Sequence, residues 1–307
     1  MISRVTLDGR RSSPPMAAPE RRLDTRASFA WCEAFVRAHH ENVPVASIFL
    51  PAELRPHVCA LYAFARFADD FADEPDYVGR RSAELDRWDD QLTACFHGEA
   101  SEHPVFIALA ETIARFELPI APFSDMLQAF RMDLSTRRYA TFADLGAYVE
   151  RAAYPIGRLL LYVFGVRDAE RHRYGDALAG ALALTSFWQD ARRDLERDRV
   201  YFPQEDLSHF GVSESELEDA YAGRRASRGA SALVRFEAAR TRSFFERARP
   251  LLDLAPRALA VELGLFWHGG RRALSKVESR AGQLAAPRAR LTSVDKALVV
   301  TRALLGR

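Results

Sequence analysis

Apolar residues recur every three or four positions along nearly the whole of this 307-residue chain, which is the period of a helix with one buried face. No stretch keeps the alternating pattern of a β-strand. The pattern therefore predicts an all-α protein. The segments with the helical period are Ala30–His40, Glu53–Ala72, Arg81–Phe96, Pro104–Phe116, Pro122–Ser135, Phe142–Phe164, Ala169–Glu196, Ser213–Tyr221, Ser231–Ala248, Arg257–Trp267, Arg271–Ser279 and Ser293–Leu305.

Start and stop signals fit these segments. Thr141 and Ser213 each have an acidic residue three positions later, which resembles a capping box. Proline and glycine lie between the segments, and the pair Gly269-Gly270 is interpreted as a break between two helices. Gly223–Gly229, rich in Arg and small residues, is predicted to be a loop. No repeat at a solenoid period is present, so the simplest architecture is one helical domain around a central apolar cavity.

The first 26 residues differ from the rest of the chain. They are rich in Arg, Ser and Pro, and they lack the apolar segment of a signal peptide. We expect residues 1–26 to be a disordered leader and residues 27–307 to form the domain.

Composition narrows the classes of function. A net charge of +1 gives no electrostatic support for nucleic-acid binding. The cysteines Cys32, Cys59 and Cys95 are widely spaced and fit buried thiols in a reducing cytoplasm. No apolar run is long enough to span a bilayer, although docking on a membrane surface stays open. The motifs of zinc proteases, serine hydrolases, P-loop proteins and dinucleotide-binding folds are absent.

The segment Ala65–Glu74 is the first candidate for chemistry. Asp69 and Asp73 are four residues apart, so on a helix their carboxylates share one face, one turn apart. No neighbour on that face neutralises them, and they lie near a helix end before Pro75, where the helix dipole disfavours anions. A cluster that costs stability suggests a ligand, and a hard divalent cation is the obvious one.

A second acidic series follows an almost wholly apolar helix. Asp190, Asp194 and Asp198 again step by four residues. Two such helices that face each other across an apolar pocket could hold Mg²⁺ together with a substrate diphosphate, and could stabilise that diphosphate as a leaving group. The alternative is an ordinary solvated helix face, because this stretch also contains several arginines. These are Arg192, Arg193, Arg197 and Arg199.

Three tyrosines lie near these aspartates or in a neighbouring predicted helix. Tyr62 precedes Arg66 by one turn on the face of the first aspartate pair, while Tyr148 and Tyr154 lie within Phe142–Phe164. A tyrosine on a helix is more often part of a core than of a catalytic site, so both roles stay open for each.

Three motifs in this order resemble those of the head-to-head prenyl synthases, the squalene and phytoene synthases. Tyr62–Glu74 is similar to the family's first aspartate motif. Asp190–Asp194, followed by Arg199–Pro203, is similar to the second, and Tyr148–Gly157 resembles the helix that carries a cavity tyrosine. The similarity runs from about residue 30 to residue 305 and implies an isoprenoid-synthase-type helical fold.

Shorter features are similar to the hydroxysqualene synthase branch of hopanoid-producing bacteria. They are Glu41–Ser47, Phe187–Asp190, Phe202–Leu207 and Gly269–Arg272. Most condensing relatives carry Arg immediately before the first aspartate of the second motif, where this chain has Gln189. The resemblance implies that water attacks the cation formed from presqualene diphosphate, which gives hydroxysqualene and diphosphate. It implies Mg²⁺ as the cofactor and no NADPH.

The resemblance also implies roles for individual residues. The implied metal ligands are Asp69, Asp73, Asp190 and Asp194. Arg66 and Arg199 are expected to contact the diphosphate, and Tyr62 and Tyr148 are expected to act as catalytic residues that line the cation pocket. The expected partners are an isoprenoid diphosphate substrate, the inner face of a membrane as a peripheral contact, and other enzymes of the squalene pathway.

Some positions depart from the family pattern. Ser186 replaces an Asn that coordinates metal in relatives, Ala183 replaces a Gln, and Val43 replaces a Phe. A serine hydroxyl is a weaker Mg²⁺ ligand than an amide oxygen, so the number of bound metal ions stays open. Two alternatives also stay open, namely a condensing synthase that joins prenyl diphosphates and a non-catalytic assembly factor of the same family.

Overall fold

A computed structural model describes residues 23–39, 50–286, 288 and 290–306. This part of the chain contains helices and no strand, so the predicted all-α class is confirmed. None of its helices is long and apolar enough to cross a membrane. The helices are α1 (Thr25–His39), α2 (Arg55–Asp73), α3 (Arg81–Phe96), α4 (Pro104–Phe116), α5 (Ala121–Met132), α6 (Phe142–Ala152), α7 (Tyr154–Val163), α8 (Ala169–Leu195), α9 (Gln204–His209), α10 (Glu214–Ala222), α11 (Arg228–Ala248), α12 (Pro250–Leu254), α13 (Arg257–Ser279) and α14 (Ser293–Leu305).

The helices are grouped into two compact units. Unit 1 takes in the described residues up to Ser135 together with Pro155–His172. Unit 2 takes in Thr136–Tyr154 together with the described residues from Arg173 onward. The predicted domain limits and the predicted central cavity stay predictions.

Helix α2 is the centre of unit 1. It is buried on all sides from His57 to Ala72, as expected for a helix whose apolar residues are not confined to one face. Helices α1, α3, α4 and α5 pack against it. Trp88 of α3 stacks on Phe67 at 5.2 Å between ring centroids, and its indole N–H donates to the Phe64 carbonyl at 3.2 Å. Aromatic packing therefore fixes the helix that carries the first aspartate motif.

Several predicted boundaries are met and others are shifted. The limits of α3, α4 and α14 agree with the prediction. Helix α1 begins at Thr25, five residues before the predicted start, because Asp24 accepts a hydrogen bond from the Ala27 amide at 2.7 Å and caps it. The predicted end of the leader at residue 26 therefore falls within α1, while residues 1–22 lie outside the described part of the chain.

Two predictions about helix continuity are wrong. The single helix predicted over Phe142–Phe164 is interrupted at Ala153, because Pro155 lacks a backbone N–H and suits the first turn of a new helix. The break predicted at Gly269-Gly270 is absent, and α13 continues through both glycines. A Cβ on Gly270 would lie 2.6 Å from Phe245 and 2.7 Å from Leu182, so this glycine permits close packing of helices and ends none.

Unit 2 is held together by indole hydrogen bonds and by a buried charged cluster. Trp188 of α8 donates to the Thr241 hydroxyl of α11 at 2.8 Å. On α11, the Arg240 guanidinium lies between two aromatic rings and donates to Asp206 at 2.7 Å and to the fully buried Glu237 at 3.1 Å. Burial, more than any neighbour, raises the pKa of Glu237 to about 8, and Asp206 adds to the rise while Arg240 opposes it.

Candidate functional site

The first aspartate motif occupies the last three turns of α2 in unit 1. Tyr62, Arg66 and Asp69 are buried there, and Asp73 is half-buried at the end of the helix. Asp69 is only 2% exposed. A carboxylate of this kind loses most of its hydration when it is buried, so it needs a positive partner or a bound cation.

Arg66 supplies part of that positive charge. Its guanidinium lies 2.5 Å from the carboxylate of Asp70, 3.7 Å from that of Asp69 and 3.8 Å from that of Glu74. The prediction that no neighbour neutralises the acidic face is therefore wrong, because one buried arginine serves three carboxylates. The spacings Arg66–Asp69 and Arg66–Asp70 are ordinary helical ion-pair spacings, so the sequence contained this signal.

Asp70 is a site residue that the sequence reasoning missed. It is buried next to Asp69, and it is the carboxylate closest to Arg66. The pKa of Asp70 is raised to about 7, mainly by burial; Asp69 and Glu74 contribute to the rise, whereas Arg66 opposes it. Asp70 therefore holds Arg66 by a bond that an incoming anion would have to compete with.

Tyr62 lies one turn before Arg66 on α2. Burial raises the pKa of its phenol to about 12, with Arg66 opposing and Asp69 adding to the rise. The phenol therefore keeps its proton at neutral pH and can donate a hydrogen bond, while its ring presents a π-face.

The second aspartate motif lies at the end of α8 in unit 2. Asp190 and Asp194 are 4% and 3% exposed, so the alternative of a solvated helix face does not apply to them. Ser186 is also buried, one turn before Asp190, and Ala183 is buried one turn further back. Ser186 and Ala183, two of the positions that depart from the family pattern, therefore belong to the buried face of the helix.

Asp198 does not continue this series, contrary to the four-residue spacing. Helix α8 ends at Leu195, and Asp198 takes a left-handed backbone conformation with φ of 57°. Arg138 donates to the Asp198 carbonyl at 2.6 Å and to its exposed carboxylate at 2.6 Å. This turn directs the chain back, so that the amide of Arg199 donates to the Asp194 carbonyl at 2.8 Å and the Arg199 side chain is buried.

An aromatic group lies next to this motif in unit 2. Tyr201 stacks on Phe187 of α8 with ring centroids 4.0 Å apart and an interplanar angle of 4°. Tyr148 of α6 is fully buried and lies 6.1 Å from Tyr201 and 5.5 Å from Tyr139. Three tyrosines and one phenylalanine thus pack together in the unit that carries the second aspartate motif, and aromatic ring faces are groups that can attract a cation.

Arg288 is a second residue that the sequence reasoning missed. Its Nη2 atom donates a hydrogen bond to one carboxylate oxygen of Asp190 at 2.9 Å, and its Nε atom lies 2.9 Å from the other, so the two side chains form a close ion pair with one hydrogen bond. Both side chains are largely buried. The two residues are 98 positions apart along the chain, so no local spacing pointed to the contact.

Of the eight predicted site residues, unit 1 contains Tyr62, Arg66, Asp69 and Asp73, and unit 2 contains Tyr148, Asp190, Asp194 and Arg199. Each motif therefore brings its own aspartates and its own arginine together. That the two motifs form one site stays a prediction. The branch-specific segment Glu41–Ser47 lies outside the described residues.

The donor set fits Mg²⁺. Hard oxygen ligands are present as two pairs of aspartates, of which only Asp73 is half-buried and the others are buried. Mg²⁺ in phosphate-binding sites commonly takes one or two carboxylates and completes its shell with water and phosphate oxygens. Among the described residues, no group of three or more His, Cys, Asp and Glu side chains forms a centre that would hold a metal by itself.

Comparisons with known proteins agree on one family. The squalene/phytoene synthase family model matches residues 36–295. A 15-cis-phytoene synthase from Synechococcus elongatus is 31% identical in an alignment of 245 positions that covers 76% of this chain and 78% of the relative.

Solved structures extend this agreement to the fold. The crystal structure of squalene synthase HpnC from Alicyclobacillus acidocaldarius matches with a TM-score of 0.79 and 38% identity, over 84% of this chain and 95% of that one. A dehydrosqualene synthase solved in complex with a ligand matches with a TM-score of 0.82 and 25% identity, over 91% and 96% of the two chains.

Proposed function

Since the chain belongs to the squalene/phytoene synthase family, we propose that it converts presqualene diphosphate and water to hydroxysqualene and diphosphate with Mg²⁺ as cofactor. In this reaction the carbon–oxygen bond to the diphosphate breaks and its electron pair leaves with the diphosphate. The oxygen of a water molecule then forms a bond to the carbocation and gives up a proton. No reductant is needed, so no NADPH is expected.

The choice of this reaction rests on one position, Gln189. It is half-buried on α8, directly before Asp190, where most condensing relatives carry an arginine. A neutral amide can bind and orient a water molecule through its donor and its acceptor atoms, whereas a guanidinium only donates. The 38% identity with squalene synthase HpnC, against 31% with a phytoene synthase, favours a substrate of the squalene type over one of the phytoene type.

Each named residue has a part in the proposal. The four aspartates Asp69, Asp73, Asp190 and Asp194 hold Mg²⁺, which when bound neutralises the diphosphate and stabilises it as a leaving group. Arg66 and Arg199 donate hydrogen bonds to the diphosphate oxygens, a task that suits the arginine fork. Arg66 must then exchange part of its bond to Asp70 for the substrate.

The two predicted catalytic tyrosines act on the cation. Tyr148 contributes a ring face from the aromatic group of unit 2, and Tyr62 contributes a protonated phenol next to Arg66. Both stabilise positive charge without supplying a base that would take a proton from the cation.

A condensing synthase is the second candidate. The observation in its favour is the 31% identity with a phytoene synthase over three quarters of the chain. Such an enzyme joins two prenyl diphosphates, and its product would be a longer diphosphate or hydrocarbon and not an alcohol.

Product analysis by mass spectrometry separates the two reactions. We expect hydroxysqualene from presqualene diphosphate with Mg²⁺ and without NADPH, and no product from either farnesyl or geranylgeranyl diphosphate. Asp69→Asn should abolish this turnover while the circular dichroism spectrum stays unchanged. Formation of presqualene diphosphate, squalene or phytoene from the prenyl diphosphates would refute the proposal in favour of a condensing synthase.

A further inference from the structure

Arg138 lies in unit 2, in the segment that leads into α6, and each of the three nitrogens of its guanidinium has an acceptor. Nη1 donates to the Asp198 carbonyl at 2.6 Å and Nη2 to the Asp198 carboxylate at 2.6 Å. Nε donates to the carboxylate of Glu214, at the start of α10, at 3.0 Å, and Nη2 lies 3.0 Å from the same carboxylate. The donors of Arg138 are therefore engaged with the protein itself.

The turn at Asp198 is the part of the chain that Arg138 holds. Its left-handed backbone, with φ of 57°, is one that residues other than glycine seldom adopt. Within the turn, the Asp198 amide donates to the Leu195 carbonyl at 2.9 Å. Arg138 adds a tie to the neighbouring segment through both the carbonyl and the carboxylate of Asp198. The next residue is Arg199, so the place where Arg199 leaves the turn depends on this tie.

Glu214 extends the tie to the far end of the segment that follows the turn. Its carboxylate also accepts a hydrogen bond from the Gln204 side chain at 2.8 Å. The Gln204 amide donates to the Tyr139 carbonyl at 2.9 Å, and the Tyr139 ring stacks on Tyr201 with centroids 5.9 Å apart. We call Arg138, Glu214 and Gln204 the turn clamp, because together they hold both ends of the segment that carries Arg199 and Tyr201.

We propose that Arg138 is a positioning residue that fixes Arg199 for contact with the substrate diphosphate. This inference rests on the proposed function, in which Arg199 donates to the diphosphate oxygens. An arginine fork meets two oxygens at once only in the correct orientation, and a misplacement of about 1 Å is enough to weaken such contacts strongly. Arg138 acts through Arg199 and does not itself touch the diphosphate, since its donors are bound to Asp198 and Glu214.

Titration calorimetry of the full chain with inorganic diphosphate and Mg²⁺ tests this role. Arg138→Gln should bind diphosphate about ten-fold more weakly, which is the loss expected for one charge-assisted hydrogen bond. The stoichiometry should equal that of the wild type. A loss of folding alone would lower the stoichiometry and would leave the affinity of the remaining folded protein unchanged.

Two further variants separate positioning from direct contact and from long-range attraction. Arg199→Gln should weaken diphosphate binding, and Arg138→Gln should have no further effect in the Arg199→Gln background, because the two residues act as one unit. Glu214→Gln removes a negative charge, so a purely electrostatic role of this region would make diphosphate bind more tightly. Positioning predicts weaker binding instead, because the turn clamp loses a charged partner.

Arg131→Gln is the matched control. The side chains of Arg131 and Arg138 are 33% and 31% exposed, and each binds two acidic residues. The partners of Arg131 are Asp86 and Asp89, at 2.9 Å each, and all three lie in unit 1 away from the turn clamp. Its substitution should leave the affinity for diphosphate unchanged.

The outcomes distinguish this inference from the proposed function. Unchanged affinity in Arg138→Gln would overturn the inference alone, as would tighter binding by Glu214→Gln. Additive losses in the double variant Arg138→Gln/Arg199→Gln would also overturn it, in favour of a direct contact between Arg138 and the diphosphate. If the wild type bound no diphosphate, the proposed function would fall and this inference with it.

Discussion

The pair between Arg288 and Asp190 leads to a prediction about metal affinity. In the structure Arg288 covers both carboxylate oxygens of a residue that we propose as an Mg²⁺ ligand. An arginine in this position competes with the metal for those oxygens and also repels it. Arg288→Gln removes the charge and replaces the guanidinium by a shorter, neutral amide, so Mg²⁺ should bind more tightly to the variant.

The size of the effect follows from the geometry. Two unit charges about 4 Å apart interact by roughly 4 kcal/mol at an effective dielectric constant near 20, and desolvation offsets much of that gain. We expect a net effect of about 1–2 kcal/mol, which corresponds to a roughly ten-fold lower Mg²⁺ concentration at half-saturation. Without metal, Arg288→Gln should be less stable by about 3 kcal/mol, because a buried carboxylate loses its partner.

Thermal unfolding with Mg²⁺ and inorganic diphosphate measures both quantities. The variant should have a lower Tm than the wild type in EDTA, and the Mg²⁺ concentration that gives half of the maximal Tm increase should fall. Arg192→Gln is the control, because Arg192 lies on the exposed side of α8, the helix that carries Asp190, and pairs with Glu196. An unchanged Mg²⁺ midpoint for Arg288→Gln would refute the competition. Loss of the diphosphate-dependent stabilisation would show instead that Arg288 binds the diphosphate.

Two further predictions concern unit 2. Gly270→Ala should lower the free energy of unfolding by about 1–3 kcal/mol in denaturant, because its Cβ would overlap two side chains. Gly269→Ala is the control: its Cβ meets no atom closer than 3.9 Å, so this change should be neutral or stabilising by up to about 1 kcal/mol. Equal losses of stability for both variants would contradict the packing argument. The second prediction concerns Glu237, whose pKa is raised to about 8 in the native state from 4.5 in the unfolded chain. Between pH 4.5 and pH 8 the native state therefore binds more protons than the unfolded state. The stability contributed by Glu237 is highest below pH 4.5 and is lost as the pH rises to 8. Glu237→Gln should remove this decline of a few kcal/mol in unfolding experiments between pH 5 and 9, and an unchanged slope would refute the assignment.

The success of the sequence-based predictions depended on how local each signal was. The predicted limits of α3 and α4 equal the observed limits, because the residues that end each helix lie within one turn of it. Asp69 and Asp73 were singled out as candidate ligands by the same kind of local spacing. Gly270 was misinterpreted because a glycine that permits close packing and a glycine that ends a helix look alike in one sequence.

The missed residues show where local reasoning stops. Arg288 contacts Asp190 only because the segment after α13 returns to α8, and nothing near residue 288 encodes that return. Asp198 has the four-residue spacing, but the helix has already ended at Leu195. The left-handed turn at Asp198 is held by Arg138, 60 positions earlier, so no local signal announced it. The shared Arg66 was a local signal that concentration on the aspartates alone overlooked.

The burial of α2 on all sides has a consequence for how the chain is made. From Val58 to Ala72 the helix would be almost continuously apolar were it not for Arg66, Asp69 and Asp70. Charged residues near the middle of such a segment each oppose insertion by the translocon, by about 2.5–3.5 kcal/mol. Arg66 and Asp69, which are proposed to bind the diphosphate and its metal, therefore also oppose insertion of the nascent helix into the membrane, and Asp70 adds to this effect. Variants that replace them with apolar residues risk a change of destination in the cell as well as a loss of activity.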